Sequence, residues 1–247
     1  MTHDPSTSTR RLAMWSGPRN ISTALLRAFE NRSDTHVVDE PLYAFYLERT
    51  GKQHPGREDV LKSQSTDWRQ VVAELRGALP EGVGVFYQKH MAHHLLPEVS
   101  LDAWEGFEHA FLIRDPARML VSLDKVTPNP SLEDTGLPQQ VALFERERAA
   151  RAGIVIDSDD VLADPRGLLT ALCEAWGIPF DDRMLTWPAG PRATDGAWAP
   201  HWYAAVERST GFQPPRTEAV TVPERLQPVL ERCRPYYDAL HAARLRP

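Results

Sequence analysis

Cysteine is scarce in this chain of 247 residues. Cys173 and Cys233 are the only two, which excludes a disulfide framework. Lysine is scarcer than the charge balance suggests: Lys52, Lys62, Lys89 and Lys125 are the only ones, and arginine supplies the rest of the 28 basic residues. No apolar run approaches membrane-spanning length, so no transmembrane helix is predicted. The opening MTHDPSTSTRR is polar and lacks the apolar centre of a signal peptide, so the reading is a soluble, cytoplasmic protein with a flexible tail over 1–10. Net positive charge is missing too. At −6 the chain gives no reason to expect nucleic acid or an anionic membrane as a partner. Repeats and low-complexity tracts are absent.

What is present is globular. Apolar residues make up 42% and charged residues 25%. The length suits one α/β domain, taken here as 11–247. Short apolar runs alternate with helical patterns. Strands are predicted at Leu12–Trp15, His36–Val38, Gly84–Gln88, Ala110–Ile113 and Ile154–Ile156. Helices are predicted after the first strand, at Asp67–Leu79, Ala117–Lys125, Gln139–Arg151 and Asp164–Trp176, and at Pro223–Arg244. Five strands separated by helices predict a three-layer α/β/α domain with a five-stranded parallel sheet. In such sheets ligands bind beyond the carboxyl ends of the strands. Arg19, Glu40, His90 and Arg114 are all read as following strand ends.

The stretch RLAMWSGPRNISTALL organises the chain. A buried strand ends at Ser16-Gly17-Pro18, and Ile21, Leu25, Ala28 and Phe29 then repeat at the spacing of one helix face. Asn20 is a candidate helix cap, with Ser22 and Thr23 in the first turn. A loop between a strand end and a helix N-terminus offers unpaired N–H groups and the positive end of the helix dipole, which together suit phosphate. Arg19 adds a fixed charge. The Walker pattern G-x-x-x-x-G-K-S/T is not there, which argues against a kinase-like phosphoryl transferase. None of the four lysines has a context suggesting a pyridoxal-phosphate aminotransferase. His90, His93 and His94 do not make a zinc helix, because the Glu of H-E-x-x-H is missing. Asp157, Asp159 and Asp160 are read as turn and cap residues.

From Leu12 to about Phe212 the sequence resembles the sulfotransferases that use 3′-phosphoadenosine 5′-phosphosulfate (PAPS). Their first motif, P-K-S-G-T-T in the cytosolic enzymes, is similar to Pro18-Arg19-Asn20-Ile21-Ser22-Thr23. Their second, an Arg with a Ser eight residues later, is similar to Arg114 and Ser122. The segment IVIDSDDVLADPRGLLTALCEAWGIPF resembles their strand–acidic turn–helix segment. The resemblance implies a P-loop NTPase-like sulfotransferase fold and transfer of a sulfuryl group from PAPS to a hydroxyl of a small-molecule acceptor. No metal is expected. The alternatives are a phosphoryl transferase on the same fold and a nucleotide-binding protein without turnover.

By the same resemblance Arg19, Asn20, Ser22 and Thr23 hold the 5′-phosphosulfate, with Arg19 in place of the usual lysine. Arg114 and Ser122 grip the 3′-phosphate. The Trp that stacks on adenine in cytosolic members is Ala24 here. The loop around Arg192 is similar to the family's late R-x-G loop, so Arg192 is expected to reach a phosphate and Trp198 or Trp202 to stack on adenine or acceptor. Two groups compete for the base. Asp39-Glu40-Pro41 resembles K-E-P-H-F of glucosaminyl 3-O-sulfotransferases, whose Glu is the base, and Lys89-His90 resembles K-T-H of the cytosolic enzymes, whose His is. Glu40 is favoured, with His90 second or supporting. The acceptor and any homo-oligomer stay open.

Overall fold

The computed structural model describes residues 9–149, 153–215 and 218–246. Five strands, β1 Arg10–Ser16, β2 Thr35–Asp39, β3 Val85–Met91, β4 Glu108–Ile113 and β5 Ile154–Asp157, form one sheet in the order β2-β3-β1-β4-β5. Every pairing is parallel, so all five carboxyl ends lie on one edge. Arg10 opens β1 and is thus not tail; residues 1–8 of the expected tail lie outside the described residues, as does the end of the helix expected to reach Arg151.

The helices are α1 Ser22–Glu30, α2 Tyr43–Thr50, α3 Arg57–Ser63, α4 Trp68–Arg76, α5 Pro116–Leu123, α6 Leu137–Ala149, α7 Ser158–Ala163, α8 Pro165–Ala175, α9 Ala199–Trp202, α10 Ala204–Glu207 and α11 Gln227–Ala242. Strand residues alternate between faces. Leu12, Met14 and Tyr87 pack with Leu25 and Phe29 of α1 and with Leu169 and Leu172 of α8. Ala13, Trp15 and Phe86 pack on the other face with α4, α6 and α11 through Val72, Leu143 and Leu240. This is the three-layer arrangement the sequence predicts.

Local chemistry sets the helix starts. Asp115 accepts from the Ala117 and Arg118 amides at the head of α5, where Pro116 needs no partner for a missing N–H. Asp157 and Asp164 cap α7 and α8, splitting the single helix expected over Asp164–Trp176 from a short one before it. The aromatic patch Tyr43, Phe45 and Tyr46 is itself helical. With Val60 of α3, and with Trp198 and Tyr203 from the far end of the chain, Tyr43 and Tyr46 build a third, smaller core beyond the carboxyl edge of the sheet. Among the described residues no helix is long and apolar enough to cross a membrane.

Candidate active site

A cavity of about 600 Å³ opens beyond the carboxyl edge of the sheet. One lobe is walled by Arg19 to Ala24, by Arg114, Arg118, Ser122 and Lys125, and by Phe212. The other is walled by Glu40, Tyr43, Tyr46, His54, His94 and Trp202. Its size and its mixed polar and aromatic lining are those of a small-molecule or cofactor site.

The first lobe is built on a close turn. A Cβ at Gly17 would stand 2.6 Å from the Thr135 carbonyl oxygen, so only glycine lets β1 leave the sheet there. Arg19 then adopts φ 56°, in the left-handed region that side chains rarely occupy. Two contacts hold it there: its carbonyl accepts from the Arg114 guanidinium, and its own Nε donates to Ser122 Oγ at 3.0 Å. Asn20 does not cap α1. It bonds its own following amide at 2.8 Å and donates to the Leu112 carbonyl at 3.1 Å, fastening the loop to the end of β4. The first amides of α1 are left without a side-chain cap, beside Ser22 and Thr23. Backbone N–H groups, a helix dipole and two arginines thus converge where an anion is best held.

In the second lobe β2 ends at Asp39, and Glu40 turns the chain with φ 40°. Its amide donates to the Lys89 carbonyl at 2.8 Å, while its own carbonyl accepts from Tyr43 N at 3.0 Å and from Gln64 Nε2 at 3.1 Å. Such a conformation costs on the order of 1–3 kcal/mol and needs these ties. The Glu40 carboxylate accepts from Lys89 Nζ at 2.6 Å. Burial pushes this carboxyl above the ordinary carboxylate range, opposed by the Lys89 charge and supported by Asp39. Lys89 itself is held well above the ordinary lysine value: burial alone would lower it, but Asp39 and Glu40 outweigh burial. The ammonium is therefore charged.

His90 falls elsewhere, which corrects the expected position. β3 runs on through Met91, so His90 lies inside the strand and not after it. With a side-chain period of two, Lys89 and His90 point to opposite faces. His90 is 1% exposed, stacks on Trp15 at 4.3 Å and meets the edge of Trp104 at 5.0 Å. Burial, with His109 and Lys89 adding to it, drops its pKa to about 3. It does not line the cavity. Arg192 is not brought there either. Its Nη2 donates to the Pro188 carbonyl, its Nε stands 3.9 Å from Glu30, and its loop is pinned to α1 by the buried Arg27–Asp195 pair. Trp198 is buried and donates to Tyr203 OH, whereas Trp202 does line the cavity.

The sequence reading missed several wall residues. Arg118 lies on α5 four residues after Arg114, and Lys125 lies just beyond α5, seven residues (about two helical turns) after Arg118; that spacing is the signal that could have found them. Lys52 pairs with Asp134, and both line the cavity. The sequence reading picks out Lys89 only beside His90; its further signal is a charge inside the strand sequence VFYQKHM, where burial demands partners. Nothing in the sequence points to Tyr203 as one of them.

A sulfotransferase domain model matches residues 10–244. Two Arabidopsis thaliana proteins, branched-chain-amino-acid aminotransferase-like protein 1 and protein 2, are 38% and 35% identical over 230 and 227 residues. Each match takes in 92% of this chain but 41% and 40% of those proteins, so the chain spans about two-fifths of their length. Among solved structures, the sulfotransferase domain of the Synechococcus PCC 7002 olefin synthase superposes with a TM-score of 0.53 at 16% identity, covering 94% of this chain and 98% of that one. A sulfotransferase from Alicyclobacillus acidocaldarius gives 0.52 at 14% identity, with 95% of each chain covered. At these identities the structural likeness concerns the fold alone. Over Arg10–Arg244, in motif, family match and architecture together, this chain belongs to the sulfotransferase domain family.

Proposed function

We propose that the domain transfers a sulfuryl group from PAPS to a hydroxyl of a small acceptor. The observation that carries this reading is the meeting, in one cavity, of the loop 18–23, of Arg114 and Ser122, each bonded to Arg19, and of the buried Glu40–Lys89 pair. In this reading the first lobe takes the nucleotide. Arg19, Asn20 and the uncapped amides of α1, with the Ser22 and Thr23 hydroxyls, hold the 5′-phosphosulfate, and Arg114 with Ser122 reads the 3′-phosphate. Phe212 lines the cavity together with Ala24, packs against the same core, and offers an aromatic face that Ala24 lacks.

The donor supplies an activated sulfur–oxygen bond. The acceptor oxygen bonds to sulfur as that bond breaks, the electron pair leaves on the 5′-phosphate, and the acceptor proton goes to a base. Charge grows on the leaving oxygen, where Arg19 and the loop N–H groups are already oriented; in many enzymes such preorganised stabilisation provides most of the rate enhancement. Arginine keeps its proton, so Arg19 acts by charge and not as an acid. Glu40 is the base in this reading: it is at the cavity wall, ionisable and made more basic by burial. His90 has no path to the acceptor, and its role is packing.

The test is direct. Purified protein is mixed with PAPS and pools of hydroxylated small molecules, and products are screened for a mass gain of one sulfuryl group. A product with that gain, formed in chelator-treated protein, supports the reading. Transfer from ATP with a strict Mg²⁺ requirement would replace it with phosphoryl transfer. Tight binding of the nucleotide with no product from any pool would leave a binding protein.

A further inference from the structure

The Lys89 ammonium, buried beside the cavity, spends all three of its donors. It donates to Asp39 Oδ1 at 2.7 Å, Glu40 Oε1 at 2.6 Å and Tyr203 OH at 2.8 Å. The acceptors are held differently. Asp39 Oδ2 also accepts from the Tyr203 hydroxyl at 2.5 Å, and Tyr203 in turn accepts from the Trp198 indole at 3.0 Å. Glu40 lines the cavity, whereas Asp39 does not. Two carboxylates therefore share one cation, and the outer one faces the ligand space.

A carboxylate bonded to a lysine of its own is a weak base, because the adjacent charge stabilises its ionised form. A carboxylate buried with no cation takes up a proton and is no base at neutral pH. Sharing one ammonium between two carboxylates lies between these limits. We propose that Asp39 and Tyr203 are positioning residues for Glu40, dividing the Lys89 ammonium so that Glu40 stays ionised yet basic at the cavity wall. Tyr203 comes from between α9 and α10, the segment that also carries Trp202 and Val206 into the second lobe. The base is thus assembled from β2, β3 and a segment 164 residues further along the chain.

The titratable groups facing Glu40 are Asp39 from β2, Lys89 from β3, Tyr43 from α2 and Tyr203. His93 and His94, beyond β3, are pushed down by burial and stay neutral. The two positioning residues act on Glu40 with opposite signs. Asp39 contributes a negative charge that raises the Glu40 pKa, and the Tyr203 hydroxyl, by donating to Asp39 Oδ2, offsets part of that charge and so works in the opposite direction.

The inference rests on the reading of Glu40 as base, and the experiment separates the two. Protein labelled with ¹³C at glutamate Cδ is titrated by NMR, with the Glu40 signal identified by its loss in Glu40→Gln. The midpoint is expected to fall in Asp39→Asn by about one pH unit or more, and to rise in Tyr203→Phe. Unchanged midpoints, or shifts of the same sign, overturn the inference. Should Asp39→Asn not fold, Tyr203→Phe decides alone, since an unchanged or lower midpoint overturns it. A sulfuryl-transfer assay of Glu40→Gln sets the level of any failure. A wild-type rate removes the base role and this inference with it, whereas an inactive variant with unmoved midpoints removes the inference only.

Discussion

Arg19 and Ser122 are joined by a 3.0 Å hydrogen bond across 103 residues, from the guanidinium Nε to the hydroxyl. Together with the Arg114 bond to the Arg19 carbonyl, it makes the loop after β1 and the helix after β4 one unit. If that unit reads the 3′-phosphate, calorimetry on the wild type should show 3′-phosphoadenosine 5′-phosphate binding far more tightly than AMP. A charge-assisted bond contributes roughly 1.5–3 kcal/mol, so Arg114→Ala should erase most of the difference. Equal binding of both nucleotides by the wild type refutes the assignment.

Glu40→Gln keeps the shape of the side chain and removes the base. The expected loss in kcat is about 10²–10⁴-fold, with affinity for 3′-phosphoadenosine 5′-phosphate nearly unchanged. A variant turning over like the wild type shows that another group takes the proton.

Gly17→Ala places a methyl group 2.6 Å from the Thr135 carbonyl oxygen, a backbone atom that cannot step aside. Overpacking of this kind costs about 1–3 kcal/mol. Because the strain falls at the root of the phosphate loop, both thermal stability and nucleotide affinity should drop. Urea unfolding and calorimetry measure the two, and a variant equal to wild type in both contradicts the close approach.

His90 makes an acid-dependent contribution to stability. Its pKa is about 3 in the folded protein against an ordinary 6.5, so the unfolded chain takes up the proton first. The contribution is complete above about pH 6.5 and is lost as pH falls towards 3. His90→Phe retains a ring against Trp15 and should flatten the fall in urea midpoint over that range, while leaving the acceptor KM unchanged. A raised acceptor KM in a folded variant would return His90 to the site.

Lys52 and Asp134 form an ion pair on the cavity wall, with Lys52 also 5.8 Å from the centre of the Tyr46 ring of the second lobe. Lys52→Ala should raise the acceptor KM several-fold and spare nucleotide affinity. The exchanged pair, Lys52→Asp with Asp134→Lys, should recover part of the loss. No recovery would show that the individual side chains matter and not their pairing.

The sequence by itself determined the layers and the first lobe. Apolar runs of strand length, helix periodicity and the Gly17–Thr23 turn are local signals, and parallel pairing then gathers every strand end on one edge. Arg19, Ser22, Thr23, Arg114 and Ser122 were legible for that reason. Tertiary structure decided the second lobe. Because β3 runs on to Met91, Lys89 and His90 are successive strand residues facing opposite ways, and His90 packs into the core against Trp15. Pinning of the 190s loop by Arg27 took Arg192 away from the cavity. Tyr203 reached Asp39 and Lys89 only through the third core, where α2 and α3 pack against Trp198. A buried charge announces in the sequence that it needs partners, but which residues answer depends on packing between segments far apart in the chain.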